Sequence, residues 1–262
     1  MPERIQKSVQ SKNPVLDLHW GITENFNFDL LSQCTHLDTL ILSCNDHVQN
    51  LEWIEPLKNL KVLNLRSCRI RDITPLKHLT RLENLNLGFN FIKDFSVLGH
   101  LKKLCTLDLQ ANRISISEIG FLAPLTNLER LYLNFNHISN LDPLKNLRSL
   151  VEIDLSYNNI QDISPLKKLG LLEKVQCDIH KLPYPPLWYM YLKYRKGQLS
   201  DYQQVTELPH VQKIWRLICS HHPDNLALAQ QLALSQGWDL ADFEMYKNSK
   251  PKEEKEDDYD PI

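Results

Sequence analysis

The stretch from Leu60 to Ile73 reads LKVLNLRSCRIRDI, and the stretch from Leu150 to Leu169 reads LVEIDLSYNNIQDISPLKKL. Laid over one another they share the frame L-x-x-L-x-L-x-x-N/C-x-I/L. The frame opens at Leu37, Leu60, Leu82, Leu104, Leu128, Leu150 and Leu172, so successive openings are 23, 22, 22, 24, 22 and 22 residues apart. Units this short cannot bury their own apolar faces. Each must stack on a neighbour, and the stack is a solenoid.

Within a repeat, counted from its opening leucine, positions 4 and 6 are two residues apart, as Leu85 and Leu87 are, so both point inward from a short strand. Positions 3, 5 and 7 then point outward. Stacked in phase, the strands predict a parallel sheet whose concave face carries those three positions. The second half of the repeat, as in Ile73-Thr74-Pro75-Leu76 and Ile163-Ser164-Pro165-Leu166, places proline where a turn or short helix opens. Few residues remain for the return, which predicts short 3₁₀ or helical turns on the convex side. Position 9 holds Asn45, Asn90, Asn112, Asn136 and Asn158, with Cys68 in one repeat. An amide both donates and accepts, so these asparagines are expected to satisfy backbone groups exposed where the strand bends.

The repeats resemble leucine-rich repeats of the 22-residue subclass shared by protein-phosphatase regulatory subunits and bacterial internalins, over about Leu37 to Leu182. The resemblance implies an α/β leucine-rich-repeat solenoid with a parallel concave sheet and short 3₁₀ or helical convex turns. It implies a binding role, or alternatively a regulatory or targeting subunit of an enzyme such as a protein phosphatase. Both ends leave the frame. Val15 to Gly21, VLDLHWG, keeps the strand without the asparagine, and at the other end His180 replaces asparagine before LPYPPLW breaks the period. The expected organisation is an N-terminal segment with a degenerate capping turn over 1–36, repeats over 37–182, a small C-terminal helical region over 183–247, and a disordered charged tail over 248–262. In the helical region Pro186, Pro209 and Asp224 are expected to open helices, and a further short helix is expected from Asp239 to Tyr246. The segment Asp224 to Gln236 is the clearest, with Leu228, Gln231, Leu232 and Ser235 near one face.

Composition narrows the function. With 30 basic and 32 acidic residues and a net charge of -2, no global attraction to nucleic acid or to an anionic membrane is expected. The opening MPERIQKSVQSKNP has no apolar run of the kind internalins use for export, so a cytoplasmic, monomeric protein is expected. Cys34, Cys44, Cys68, Cys105, Cys177 and Cys219 form no C-x-x-C pair and read as reduced structural thiols, with Cys177 in an inward slot. No Gly-rich phosphate loop, G-x-S-x-G elbow or H-E-x-x-H pair occurs, so neither catalysis nor a cofactor is expected. Cys219, His221 and His222 lack the spacing of a metal site, and the run Lys193 to Lys196 reads as an exposed helical end. An enzyme site in the C-terminal helices is the third reading, which their Leu, Ala, Gln and Trp content disfavours.

The candidate site is therefore the concave face, expected to take a protein partner through Asn64, Arg66, Asn86, Asp108, Gln110, Arg130, Tyr132, Asn134, Glu152 and Asp154. Arg and Tyr are favoured interface anchors, and the carboxylates beside Tyr132 can select charge. Phe89, Phe135 and Tyr157, each just before the asparagine, are assigned to the repeat pattern rather than to the site.

Overall fold

A computed structural model of the chain describes residues 2–115, 118–178, 228–231 and 233–234. The chain divides into two compact units, Met1–Leu182 and Pro183–Ile262. In the first, eight three-residue strands form one parallel sheet in chain order: β1 Val15–Asp17, β2 Thr39–Ile41, β3 Val62–Asn64, β4 Asn84–Asn86, β5 Thr106–Asp108, β6 Arg130–Tyr132, β7 Glu152–Asp154 and β8 Lys174–Gln176. Register is preserved throughout. Leu63 lies opposite Leu85, Leu85 opposite Leu107 and Leu107 opposite Leu131, so position 4 makes one buried stack.

The ladder continues past the strands. The position-6 amide donates to the position-5 carbonyl of the next repeat, as Leu65 N does to Asn86 O at 2.8 Å. The position-8 amide donates to the following position-7 carbonyl, as Phe89 N does to Gln110 O at 2.8 Å. To turn outward there, position 8 adopts a left-handed conformation at Trp20, Cys44, Ser67, Phe89, Ala111, Phe135 and Tyr157, with φ between 52° and 58°. None is glycine. That conformation is disfavoured for residues with a Cβ, so it is held by the ladder on either side of the bend.

Asparagine at position 9 locks the bend as the sequence predicts. Asn136 Nδ2 donates to Leu109 O at 3.1 Å and Leu133 O at 2.9 Å, while its Oδ1 accepts from Asn112 N at 3.1 Å and Ile114 N at 2.9 Å. Asn45, Asn90 and Asn158 make equivalent bonds. Two rungs differ. Asn112 donates normally, but its buried Oδ1 has no hydrogen-bond partner among the described residues. At Cys68 the thiol donates to Leu42 O at 3.1 Å and Arg66 O at 3.4 Å, and burial raises its pKa to about 11.

The convex side is built of 3₁₀ turns at Glu52–Ile54, Thr74–His78, Ser96–His100, Glu118–Leu122, Asp142–Leu144 and Ser164–Lys168. A second set of side chains opens five of them. Asn50, Asp72, Asp94, Asn140 and Asp162 each accept the backbone N–H two residues ahead, at 2.8–2.9 Å. These short side chains mimic a backbone turn, and the bonds from Thr74 and Ser96 hold the Asp72 and Asp94 carboxyls below their ordinary pKa.

The N-terminal segment contains more than a degenerate turn. Pro2–Ser11 forms a helix, α1, that packs against β1 and against the short helix α2, Asp29–Ser32. Ile5 is its buried anchor, and Ser8, also buried, pairs with His36 Nε2 at 3.3 Å. Cys177 is half-buried rather than fully inward. In the second unit residues 228–231 and 233–234 are helical, within the segment Asp224 to Gln236. Its buried pair is Ala229 and Ala233, one turn apart, while Leu228 is exposed, so the inward face differs from the one expected. The other expected helices, the charged tail, Lys193 to Lys196 and the Cys219, His221, His222 group lie outside the described residues.

Candidate concave-face site

The ten candidate residues lie at positions 3, 5 and 7 of β3 to β7 and the residues just after them, on one face of the sheet. In-phase pairing fixes their neighbours. Asp108 lies opposite Tyr132 and Tyr132 opposite Asp154, and Arg130 lies opposite Glu152. Strands lie about 4.8 Å apart, so these side chains form a continuous surface.

At position 5 the carboxylates and amides have a structural task that the sequence reading missed. Asn64, Asn86, Asp108 and Asp154 each accept, through Oδ1, the N–H two residues ahead, from Arg66, Gly88, Gln110 and Ser156 at 2.9–3.0 Å. One oxygen of each is thereby committed to the backbone. The recurrence of Asn or Asp at position 5 was the available signal, and it matches a local turn preference.

The two halves of the face are organised differently. In the earlier half, Asp108 is almost buried and its Oδ2 accepts from Asn86 Nδ2 and Gln110 Nε2, both at 2.9 Å, with Arg66 Nη1 at 3.7 Å. Room for this convergence comes from Gly88. A Cβ there would meet Gln110 Cγ at 3.0 Å, Asp108 Oδ1 at 3.1 Å and Arg66 Nη1 at 3.3 Å. In the later half, Lys174 Nζ pairs with Glu152 Oε1 at 2.6 Å, and that bond raises the lysine pKa. Burial, then the Glu152 charge, raises the pKa of Tyr132. Arg130 is exposed, with Nε donating to Thr106 Oγ1 at 3.2 Å and Nη1 3.9 Å from Glu129. Asn134 is half-buried beside this group.

Along one margin of the face stands a row the sequence reading assigned to the repeat pattern. The left-handed bend projects position 8 into solvent, leaving Trp20 74 %, Phe89 42 %, Phe135 50 % and Tyr157 60 % exposed. Phe135 and Tyr157 stack with ring centroids 4.1 Å apart and planes at 9°. The Arg66 guanidinium lies over Phe89, 4.3 Å from its centroid. Among the described residues no three His, Cys, Asp or Glu side chains are grouped so as to hold a metal ion, and no helix is long and apolar enough to cross a membrane.

With this geometry in place, the chain belongs to the leucine-rich-repeat family. The family model for leucine-rich repeats in two copies matches residues 35–78, 58–100, 102–146 and 126–168. No curated protein sequence matches the chain. Among solved structures, internalin InlF from Listeria monocytogenes is similar at 27 % identity and a TM-score of 0.62, over 67 % of this chain and 54 % of that one. Internalin C2 from the same organism is similar at 26 % identity and 0.58, over 68 % of this chain and 92 % of that one. A leucine-rich-repeat protein of Leptospira interrogans, at 22 % identity and 0.59 over 72 % of this chain and 55 % of that one, shares the fold. The chain spans about half the length of the InlF and Leptospira structures it matches.

Proposed function

We propose that this chain is a non-catalytic scaffold that takes a protein partner on its concave sheet. The observation that carries the reading is the ordering of the face before any partner arrives. Asp108 holds Asn86, Gln110 and Arg66 in place, and the Asn and Asp side chains at position 5 are pinned by their own backbone, so little side-chain freedom there remains to be lost on binding. Of the ten residues, Arg130 and Tyr132 are the anchors: they are of the types favoured at interface centres, and Tyr132 stands between Asp108 and Asp154 while Arg130 stands beside Glu152. Asn64, Arg66, Asn86, Asp108, Gln110, Asn134, Glu152 and Asp154 shape and charge the surface around them. Cys34 and Cys68 are buried and free, which suits a reducing compartment, and we place the protein in the cytoplasm as a monomer.

The test is quantitative. A partner recovered by affinity capture is purified and titrated against the parent chain and the double variant Arg130→Glu, Tyr132→Ala. Binding should weaken by about 2 kcal/mol or more, with the melting temperature nearly unchanged. Equal affinity for parent and variant removes the concave face as the site for that partner.

A further inference from the structure

Each repeat leaves its strand by one limb and returns to the next strand by another, and the two limbs use charge differently. On the outgoing limb Asp72, Asp94 and Asp162 are tied to the backbone as caps of the convex turns. The incoming limb follows the frame L/I-x-x-L-x-x-L. Its six segments, 54–60, 76–82, 98–104, 122–128, 144–150 and 166–172, hold nine Lys or Arg and a single acid, Glu55. The frame residues are all buried, so each segment is anchored while the residues between them are left to the surface.

The charge is densest on three consecutive segments. Lys58, Lys77, Arg81, Lys102 and Lys103 stand there, and all five are exposed. Contact between neighbouring segments is direct: Arg81 Nη1 donates to Asn59 Oδ1 at 2.8 Å, and Asn127 Nδ2 donates to Lys102 O at 2.8 Å. The pairing continues into the sheet, with Glu83 N bonded to Lys61 O and Cys105 N to Glu83 O, both at 2.8 Å. The five cations therefore share one patch. Lys77 lies in the last turn of Thr74–His78, where a cation complements the dipole of the turn. The other four lie beyond the turns. Apart from the Arg81–Asn59 bond, none of the five side chains has an ion-pair or hydrogen-bond partner among the described residues. Glu55 and Glu83, the acids nearest to them in sequence, pair with none of them.

Like charges held this close repel one another, and an anionic partner relieves that repulsion. What the patch lacks narrows the partner. Its leucines are buried, which leaves no large apolar side chain to enter a bilayer. The three segments hold no Phe, Tyr or Trp on which bases could stack. Spacing narrows it further. Neighbouring strands stand about 4.8 Å apart, so three rungs span roughly 10 Å. On an α-helix, side chains at i, i+3 or i+4 are about 5–6 Å apart, and seven residues advance about 10.5 Å. Same-face side chains of an extended chain are about 7 Å apart and fall out of step by the third rung.

We propose that this patch is a second interaction surface, which takes an acidic α-helix of a partner protein laid along the stack with about one carboxylate to each rung. It goes beyond the concave reading and does not depend on it. Arg81, held by Asn59, is the pre-placed contact, and the lysines on either side close on the helix from flexible stems.

The full chain is titrated, in low salt, with a dye-labelled, terminally blocked peptide of alanine and glutamine, about 20 residues long, that carries glutamates at i, i+4, i+7 and i+11. Fluorescence anisotropy reads the binding. The parent should bind saturably, and more weakly as salt is raised. A peptide of the same composition with its glutamates spread around the helix should bind at least about threefold more weakly. Arg81→Glu, Lys102→Glu and Lys103→Glu combined should melt like the parent and bind at least about tenfold more weakly. Should that variant not fold, Lys102→Gln with Lys103→Gln removes charge while keeping most of each stem, and should lose about threefold or more. Lys93→Glu, exposed on the outgoing limb, should bind as the parent does, and so should the double variant Arg130→Glu, Tyr132→Ala. No saturable binding by the parent, equal binding of the two peptides, or a folded triple variant that binds equally well overturns the assignment. So does an oligouridylate of about 12 nucleotides that binds the parent more tightly than the peptide and is lost by the triple variant, because the patch then serves nucleic acid. If the concave double variant loses the peptide while the triple variant keeps it, the acidic helix belongs on the concave face instead.

Discussion

Phe135 and Asn136 are adjacent in the chain, yet one stands half exposed on the margin of the sheet while the other is buried with its amide spanning two repeats. The same division recurs at Phe89 and Asn90 and at Tyr157 and Asn158. A left-handed residue turns the chain outward, and the next residue must supply the bonds that the turn removes from the ladder. Position 9 is therefore constrained by backbone valence. Position 8 is constrained only in φ, and its side chain is free to vary with function, as the series Trp20, Cys44, Ser67, Phe89, Ala111, Phe135, Tyr157 does.

That contrast can be broken most directly at Asn136. Asn136→Ala leaves the buried donors at Asn112 and Ile114 unpaired and takes one of two amide bonds from the carbonyls of Leu109 and Leu133, and should cost about 2–3 kcal/mol in urea denaturation. Asn112→Ala should cost less, because its oxygen has no partner to lose. The exposed Asn140, which caps one 3₁₀ turn through Asp142 N, should cost about 0.5–1 kcal/mol when replaced by alanine. Equal midpoints for the three variants would remove the ladder argument.

Cys68 sharpens the comparison from the other direction. Its thiol is a weak donor where the other rungs have an amide, so Cys68→Asn should stabilise by about 0.5–1 kcal/mol, read as a shift of the denaturation midpoint to higher urea. A midpoint at or below that of the parent would mean that the pocket around Cys68 has closed to fit sulfur. The smallest effect belongs to position 8. Phe135→Ala should change stability by only about 0.5 kcal/mol, while the near-ultraviolet circular dichroism of the Phe135–Tyr157 stack is lost. A loss as large as that of Asn136→Ala would show that the row supports the fold.

The repeat array was legible because leucine spacing is a direct record of which side chains enter the core. The openings from Leu37 to Leu172, the concave placement of positions 3, 5 and 7, and the asparagine rungs all follow from it. Helix α1 was not legible, since PERIQKSVQS is polar and offers Ile5 as its one fully inward apolar anchor. The caps at Asp72, Asp94 and Asp162 and the pinned position-5 residues were missed for another reason. Exposed Asp and Asn look the same in a sequence whether they face a partner or their own backbone, and only the N–H two residues ahead separates the cases. Exposure of the position-8 rings depends on the sign of φ, which apolar periodicity does not record.

The asparagine rungs also have a direction. Asn45 reaches back to Ile22 and Leu18, Asn90 to Cys68, Ile70 and Leu65, Asn136 to Asn112, Ile114 and Leu109, and Asn158 to Ile138 and Leu133. Each of these four bends is closed by the repeat that comes after it. On a ribosome adding about 5–20 residues per second, a repeat that has emerged stays open at its bend until the next 22 to 24 residues are made, a delay of roughly one to five seconds. Synthesis therefore carries a single unlocked edge forward along the array, and the nascent chain never has more than its newest turn waiting to be fastened.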